Sequence, residues 1–281
     1  MLTVRPSVPE DVPAQRELWK LAFGDSDQYI DNFYNTYYRP DRVVVLEDDG
    51  AVRSMTAWFD TAFAVPGQGK YRAAYLYAVA THPACRGRGL AGALLAGADE
   101  YFRSLGIPAV TTVPAEPSLH GFFGASGFRE CFTYSQAAPV PAERLIRPFG
   151  LEPVGARRYG ELREVILRNI SHIAYPPDAL RYQEGCCRLS GGGLYLAETA
   201  QGAALLCAEG MEDGRMLVKE LAACPEAREQ VLACLDRLLP GCANLRTPGD
   251  AVKFGMLKWL DPELENAWNW DTVGYLGLAF D

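Results

Sequence analysis

Val79-Ala80-Thr81-His82-Pro83-Ala84-Cys85-Arg86-Gly87-Arg88-Gly89-Leu90-Ala91-Gly92 decides the fold. An apolar run ends near Thr81 and a glycine-rich segment follows. Leu90, Leu94, Leu95, Ala98, Phe102 and Leu105 then recur at helical spacing. Strand, glycine loop and helix together make an anion site. Glycines let the backbone approach a ligand, and the first N–H groups of the helix have no partner inside it. Arg86 and Arg88 add positive charge there, which suits a pyrophosphate. The spacing is not GxxxxGK[ST], which excludes a P-loop. Gly87, Gly89 and Gly92 spell GxGxxG, but the next strand, Ala109 to Val113, runs into Pro114 where a dinucleotide site wants an acid.

Outward from this stretch, strand and helix signals alternate. Leu2 to Arg5, Arg42 to Leu46, Ala51 to Phe63 and Tyr71 to Ala80 read as strands, with Asp48-Asp49-Gly50 as a hairpin turn. Pro13 to Phe23 reads as a helix, and Asp25-Ser26-Asp27 caps a second one running to Tyr37. Ser118 to Ala125 is a short helix and Phe128 to Ser135 the strand after it. Pro139, Pro141, Pro148 and Pro153 mark a linker over 139–153. Beyond it the alternation resumes. Tyr159 to Ile170, Pro225 to Leu239 and Ala251 to Leu260 are expected helices. Gly193 to Ala197, Ala203 to Glu209, Met216 to Ala222 and Val273 to Phe280 are expected strands. The expected fold class is therefore α/β (α+β), with two mixed-sheet units of similar plan at 1–138 and 154–281.

The chain has 281 residues and a net charge of −8, with 49% hydrophobic residues. Residues 1–150 carry 14 basic against 16 acidic residues, and 151–281 carry 13 against 19. An acidic protein of this kind is not expected to live on nucleic acid. No apolar run reaches the roughly 18–20 residues that span a bilayer, and the N-terminus lacks a signal-peptide layout, so a cytoplasmic location is expected. The 8 cysteines show no CxxC spacing and read as reduced thiols, and three histidines do not suggest a metal centre.

Arg86-Gly87-Arg88-Gly89-Leu90-Ala91 matches [QR]-x-x-G-x-[GA], and here the chain resembles the GNAT superfamily of N-acetyltransferases. Val79-Ala80-Thr81-His82-Pro83 matches that family's lead-in, and Phe122-Phe123-Gly124-Ala125-Ser126-Gly127-Phe128 loosely matches its Leu-Gly-Phe block. The two-unit layout, Ser118-Leu119-His120-Gly121 and the closing Gly274 to Asp281 are similar to the tandem branch that includes the enhanced intracellular survival acetyltransferases. The resemblance does not extend to their third, sterol-carrier-like domain.

The resemblance implies an acetyl-CoA site. Val79, Ala80 and Thr81 would pair with the pantetheine arm, and a backbone N–H near Val79 would stabilise the thioester oxyanion. Arg86, Gly87, Arg88, Gly89, Leu90, Ala91 and Gly92 would hold the pyrophosphate. The second unit would have lost this site: Leu221 to Glu229 has no glycine and places Glu226 and Glu229 at a helix start, so one site per chain is expected.

Direct transfer needs a group to take the amine's proton and one to protonate the leaving thiolate. Many relatives use a tyrosine for the second task, where Phe123 stands here. In the tandem branch that position aligns with His120, which reads either as acid or relay or as an exposed helix residue. In the same branch a C-terminal carboxylate is the base, which points to Asp281, alongside the reading of a frayed terminus. Tyr75, Glu116 and His82 are weaker candidates. Trp19, Tyr34, Tyr37 and Trp58 read as core or as an acceptor pocket. The expected activity is acetyl transfer from acetyl-CoA to a primary amine of a small molecule, without a metal. The alternatives are a non-catalytic acetyl-CoA-binding protein and a lysine acetyltransferase acting on protein or peptide.

Overall fold

The computed structural model describes residues 2–138 and 149–280. The first half runs β1 (Leu2–Pro6), α1 (Val12–Phe23), α2 (Asp27–Thr36), β2 (Val43–Asp48), β3 (Ala51–Val65), β4 (Gly69–Thr81), α3 (Leu90–Ser104), β5 (Ala109–Thr112), α4 (Pro117–Ala125) and β6 (Arg129–Ala137). The second runs β7 (Glu152–Pro153), α5 (Ala156–Ile166), β8 (His172–Ala174), α6 (Pro177–Leu189), β9 (Gly193–Thr199), β10 (Gly202–Gly210), β11 (Met216–Ala223), α7 (Pro225–Leu238), β12 (Cys242–Trp259) and α8 (Pro262–Ala267). Of the proline-rich linker, residues 139–148 lie outside the described residues.

The two halves repeat one plan. Antiparallel strands β1 to β4 lead through α3 to β5, which pairs parallel with β4. Likewise β9 to β11 lead through α7 to β12, which pairs parallel with β11. One sheet joins them in the order β1-β2-β3-β4-β5-β12-β11-β10-β9-β7. The seam is β12. Its first residues pair with β11, its last four, Met256 to Trp259, pair antiparallel with β5, and β6 lies along its length.

The expected helix over Ala251 to Leu260 is therefore a strand. Phe254 and Leu257 sit three apart as on a helix, but three strands offer β12 ladder partners, and that tertiary pairing overrides local spacing. The expected strand over Val273 to Phe280 is largely irregular chain, tied by single bridges at Gly274 to Phe132 and Tyr275 to His172.

Both sheet faces are covered. On β2, Val43 and Val45 face one core while Val44 and Leu46 face another. This explains why the strand reads as a continuous apolar run and not as an alternation. Helices α3 and α4 cover the second face of the first half and α7 that of the second. On the opposite face α1, α2, α5, α6 and the closing segment share one core.

A small polar cluster pins that closing face. Glu164 on α5 accepts from Lys70 Nζ at 2.6 Å and from His172 Nε2 at 3.2 Å. Burial alone would raise this carboxyl, but the hydrogen bonds from His172 and Lys70 win and pull it from 4.5 down to about 2. The folded value lies below the unfolded one, so the stabilisation is present above pH 4.5 and lost as pH falls towards 2. With solvent screening it is worth about 1 kcal/mol. Urea unfolding of wild type and Glu164→Gln from pH 7 to pH 2 is expected to show a gap that closes only below about pH 4.5.

Candidate active site

Strands β4 and β5 are hydrogen-bonded only over Ala73 to Tyr75 against Ala109 to Thr111. Beyond Tyr75 they part, leaving the β5-facing edge of β4 without a strand partner among the described residues. The register against β3 slips between Tyr77 and Ala80, and Ala78 sits at φ +50°. This bulge flips the alternation: Tyr75 and Ala73 face the closing-segment core before it, Ala78 and Ala80 after it. A left-handed alanine costs about 1 kcal/mol and marks a strained point on an open edge. Val79, Ala80 and Thr81 lie at this parted end. Thr81 Oγ1 meets Ser54 Oγ at 2.7 Å, which braces it from the β3 side.

The loop then forms from local rules. His82 Nδ1 accepts from the Ala84 N–H at 3.2 Å and caps one short turn over Pro83 to Cys85. Gly87 and Gly89 both take φ +76°, and a Cβ at either, or at Gly92, would meet no heavy atom within 4 Å. The loop is thus turned into open space with its glycines outward. Gly89 caps α3, the Ala93 N–H bonds back to its carbonyl, and the N–H groups of Leu90, Ala91 and Gly92 precede that first helical bond. Leu90 and Cys85 are buried beneath and anchor the loop. Arg86 Nε reaches the Thr81 carbonyl at 3.4 Å. Arg88 pairs with Asp48 at 2.9 Å, so part of the positive charge expected here is neutralised by β2. In the second half, β11 passes to α7 through Cys224 alone, and Glu226 occupies the first turn. No comparable loop exists there among the described residues.

A family model for the acetyltransferase (GNAT) domain matches residues 3–128, which spans the parted strands and the loop. Residues 3–128 are a GNAT acetyltransferase domain. The chain is accordingly an acetyltransferase that moves an acetyl group to an acceptor, and the family's acyl donor is acetyl-CoA. The tandem fold is that of several solved structures. Eis1 from Mycobacterium abscessus is 15% identical with a TM-score of 0.64, over 95% of this chain and 75% of that one. A GCN5-related N-acetyltransferase from Anabaena variabilis is 16% identical with a TM-score of 0.67, over 93% and 73%. Another from Sphaerobacter thermophilus is 13% identical with a TM-score of 0.54, over 93% and 96%. No curated protein matches the chain in sequence.

Around the GNAT domain's parted strands stand the catalytic candidates. His120 on α4 is half-buried, and its Nδ1 lies 2.6 Å from Glu130 Oε1 on β6. Glu130 escaped the sequence reading, since only the fold sets a helix residue against a strand residue. The carboxylate engages Nδ1 of the ring and not Nε2. Phe123 is buried against Phe128 and serves packing. Glu116 is exposed at the start of α4.

On the other face of β4 lies a packed aromatic cluster. Phe280 stacks on Phe59 with centroids at 4.1 Å and on Tyr75 at 5.7 Å. Asp281 lies outside the described residues, directly after this buried ring. The Tyr77 hydroxyl meets those of Tyr182 at 2.8 Å and Tyr29 at 3.3 Å. Trp19 donates to Asp25 at 2.7 Å, and burial raises that carboxyl above its ordinary value despite the bond. Trp19, Tyr34 and Tyr37 belong to this face. Trp58 does not: it packs on Phe102 beneath α3, on the opposite side of the sheet, because its position on β3 has the other parity.

Proposed function

We propose that this chain transfers the acetyl group of acetyl-CoA to the primary amine of a small molecule, at one site per chain. The carrying observation is the parted β4 edge that runs straight into a loop with two outward-facing left-handed glycines and a helix start. The residues fit the donor. The loop has the room a pyrophosphate needs, and the open β4 edge offers N–H and C=O groups to the amide-bearing pantetheine arm. Val79, Ala80 and Thr81 take the arm. Arg86 to Gly92 take the pyrophosphate, with Leu90 fixing the helix start. A backbone N–H near Val79, beside the bulge at Ala78, would serve the carbonyl where negative charge develops.

The amine nitrogen forms the new C–N bond as the C–S bond breaks. Asp281 takes the proton from nitrogen, and His120, oriented by Glu130, gives one to sulfur through Nε2. An amine acceptor suits the acidic second half of the chain.

Calorimetric titration of acetyl-CoA should give micromolar binding. An acceptor panel of n-hexylamine, spermidine and a lysine peptide should then give turnover on the small amines. His120→Ala and deletion of Asp281 should each lower kcat by roughly 10²-fold with the affinity for acetyl-CoA retained. Turnover that survives both removes these assignments. Acetylation of the peptide alone favours a protein acceptor, and binding without any turnover favours a non-catalytic acetyl-CoA protein.

A further inference from the structure

A buried polar device in the second half grips the closing segment. Arg163 on α5 and Glu220 on β11 have side chains 1% and 0% exposed. Arg163 Nε donates to both Glu220 oxygens, at 2.8 and 3.1 Å, and Nη1 donates to the Ile173 carbonyl at 2.7 Å. Its Nη2 donates to the Leu276 carbonyl at 3.3 Å, and the Tyr175 hydroxyl donates to that same carbonyl at 3.1 Å. Tyr159 completes the set by donating to Glu220 at 2.9 Å. The next residue, Gly277, sits at φ +71°, and a Cβ there would collide with Glu220 Oε2 and crowd Arg163 Nη2. The backbone of the closing segment is thus pressed onto the ion pair. Three residues later Phe280 stacks on Tyr75.

Stability alone does not call for such a pair, since a well-packed apolar pair of similar volume often serves as well or better. What an apolar pair does not do is hold a backbone carbonyl at one place. We propose that Arg163 and Glu220 are positioning residues for acetyl transfer: by clamping Leu276 and Gly277 they hold Phe280, the residue directly before Asp281 in the chain, beside Tyr75 on β4. The inference rests on the reading of Asp281 as the proton acceptor.

The test uses the full chain, comparing Arg163→Lys and Tyr175→Phe with wild type by amide hydrogen exchange and steady-state kinetics on the fastest acceptor of the panel. Tyr175→Phe removes one bond to the Leu276 carbonyl and keeps the ring against Phe280, so it serves if Arg163→Lys does not fold. Faster exchange over 274–280 is expected, with kcat down roughly tenfold and the KM for acetyl-CoA unchanged. Unchanged exchange in the closing segment overturns the clamp. Faster exchange with kcat intact overturns the positioning role, and deletion of Asp281 tells which reading has failed. If that deletion lowers kcat by roughly 10²-fold, only this inference falls. If it does not, the proton-acceptor assignment falls with it.

Discussion

Gly89→Glu is expected to weaken acetyl-CoA binding by ~100-fold or more while the protein stays folded. Two effects combine at that position. The glycine holds φ +76°, a conformation that costs any other residue about 1 kcal/mol. The added carboxylate enters the open space in front of the α3 N-terminus, where the helix start and unpaired N–H groups otherwise favour an anion. A carboxylate there occupies the anion's place and repels the pyrophosphate. Gly106→Glu is the matched control. Gly106 also has positive φ and open surroundings, but it follows the far end of the same helix. Calorimetry should show binding lost in Gly89→Glu and kept in Gly106→Glu, with similar losses in Tm. Equal affinities in both variants would mean that the loop is not where the donor binds.

Arg163→Met should cost about 3–5 kcal/mol, the largest stability effect of any single substitution considered. The cause is less the lost pair than the remaining Glu220 carboxyl, left at 0% exposure without its guanidinium partner. The Ile173 and Leu276 carbonyls lose a donor at the same stroke. Thermal unfolding should fall by on the order of 10 °C for a chain of this size. The double variant Arg163→Met with Glu220→Leu should recover part of that loss, because no buried carboxyl is stranded. A single variant with wild-type Tm would refute the account.

The strand, loop and helix of the candidate site were legible because their signal is local. Arg86 to Ala91, the apolar spacing of α3 and the strand before it all lie in one stretch, and the fold realises them as read. Helix α6 also had a usable signal, since Ala179, Gln183, Cys186 and Cys187 recur at helical spacing. Gly185 obscured it. That glycine is there for packing, because a Cβ would collide with the amide of Asn32 on α2. The acceptor side was not legible in the same way. The pairing of His120 with Glu130 depends on how β6 is registered on β12. Arg163, Glu220 and Leu276 meet from three distant parts of the chain. Their residue types are ordinary, and only burial makes them unusual.

The shared strand β12 also sets a clock. Residues 109–112 of β5 find their second ladder partner only in residues 256–259, and β6 finds its own only after Cys242. On a ribosome adding roughly 5–20 residues per second, the first half emerges with two sheet edges bare for on the order of ten seconds. During that wait the exposed edges are open to pairing with another nascent chain. Growth temperature and chaperone supply should therefore govern the yield of this protein more than its final stability does.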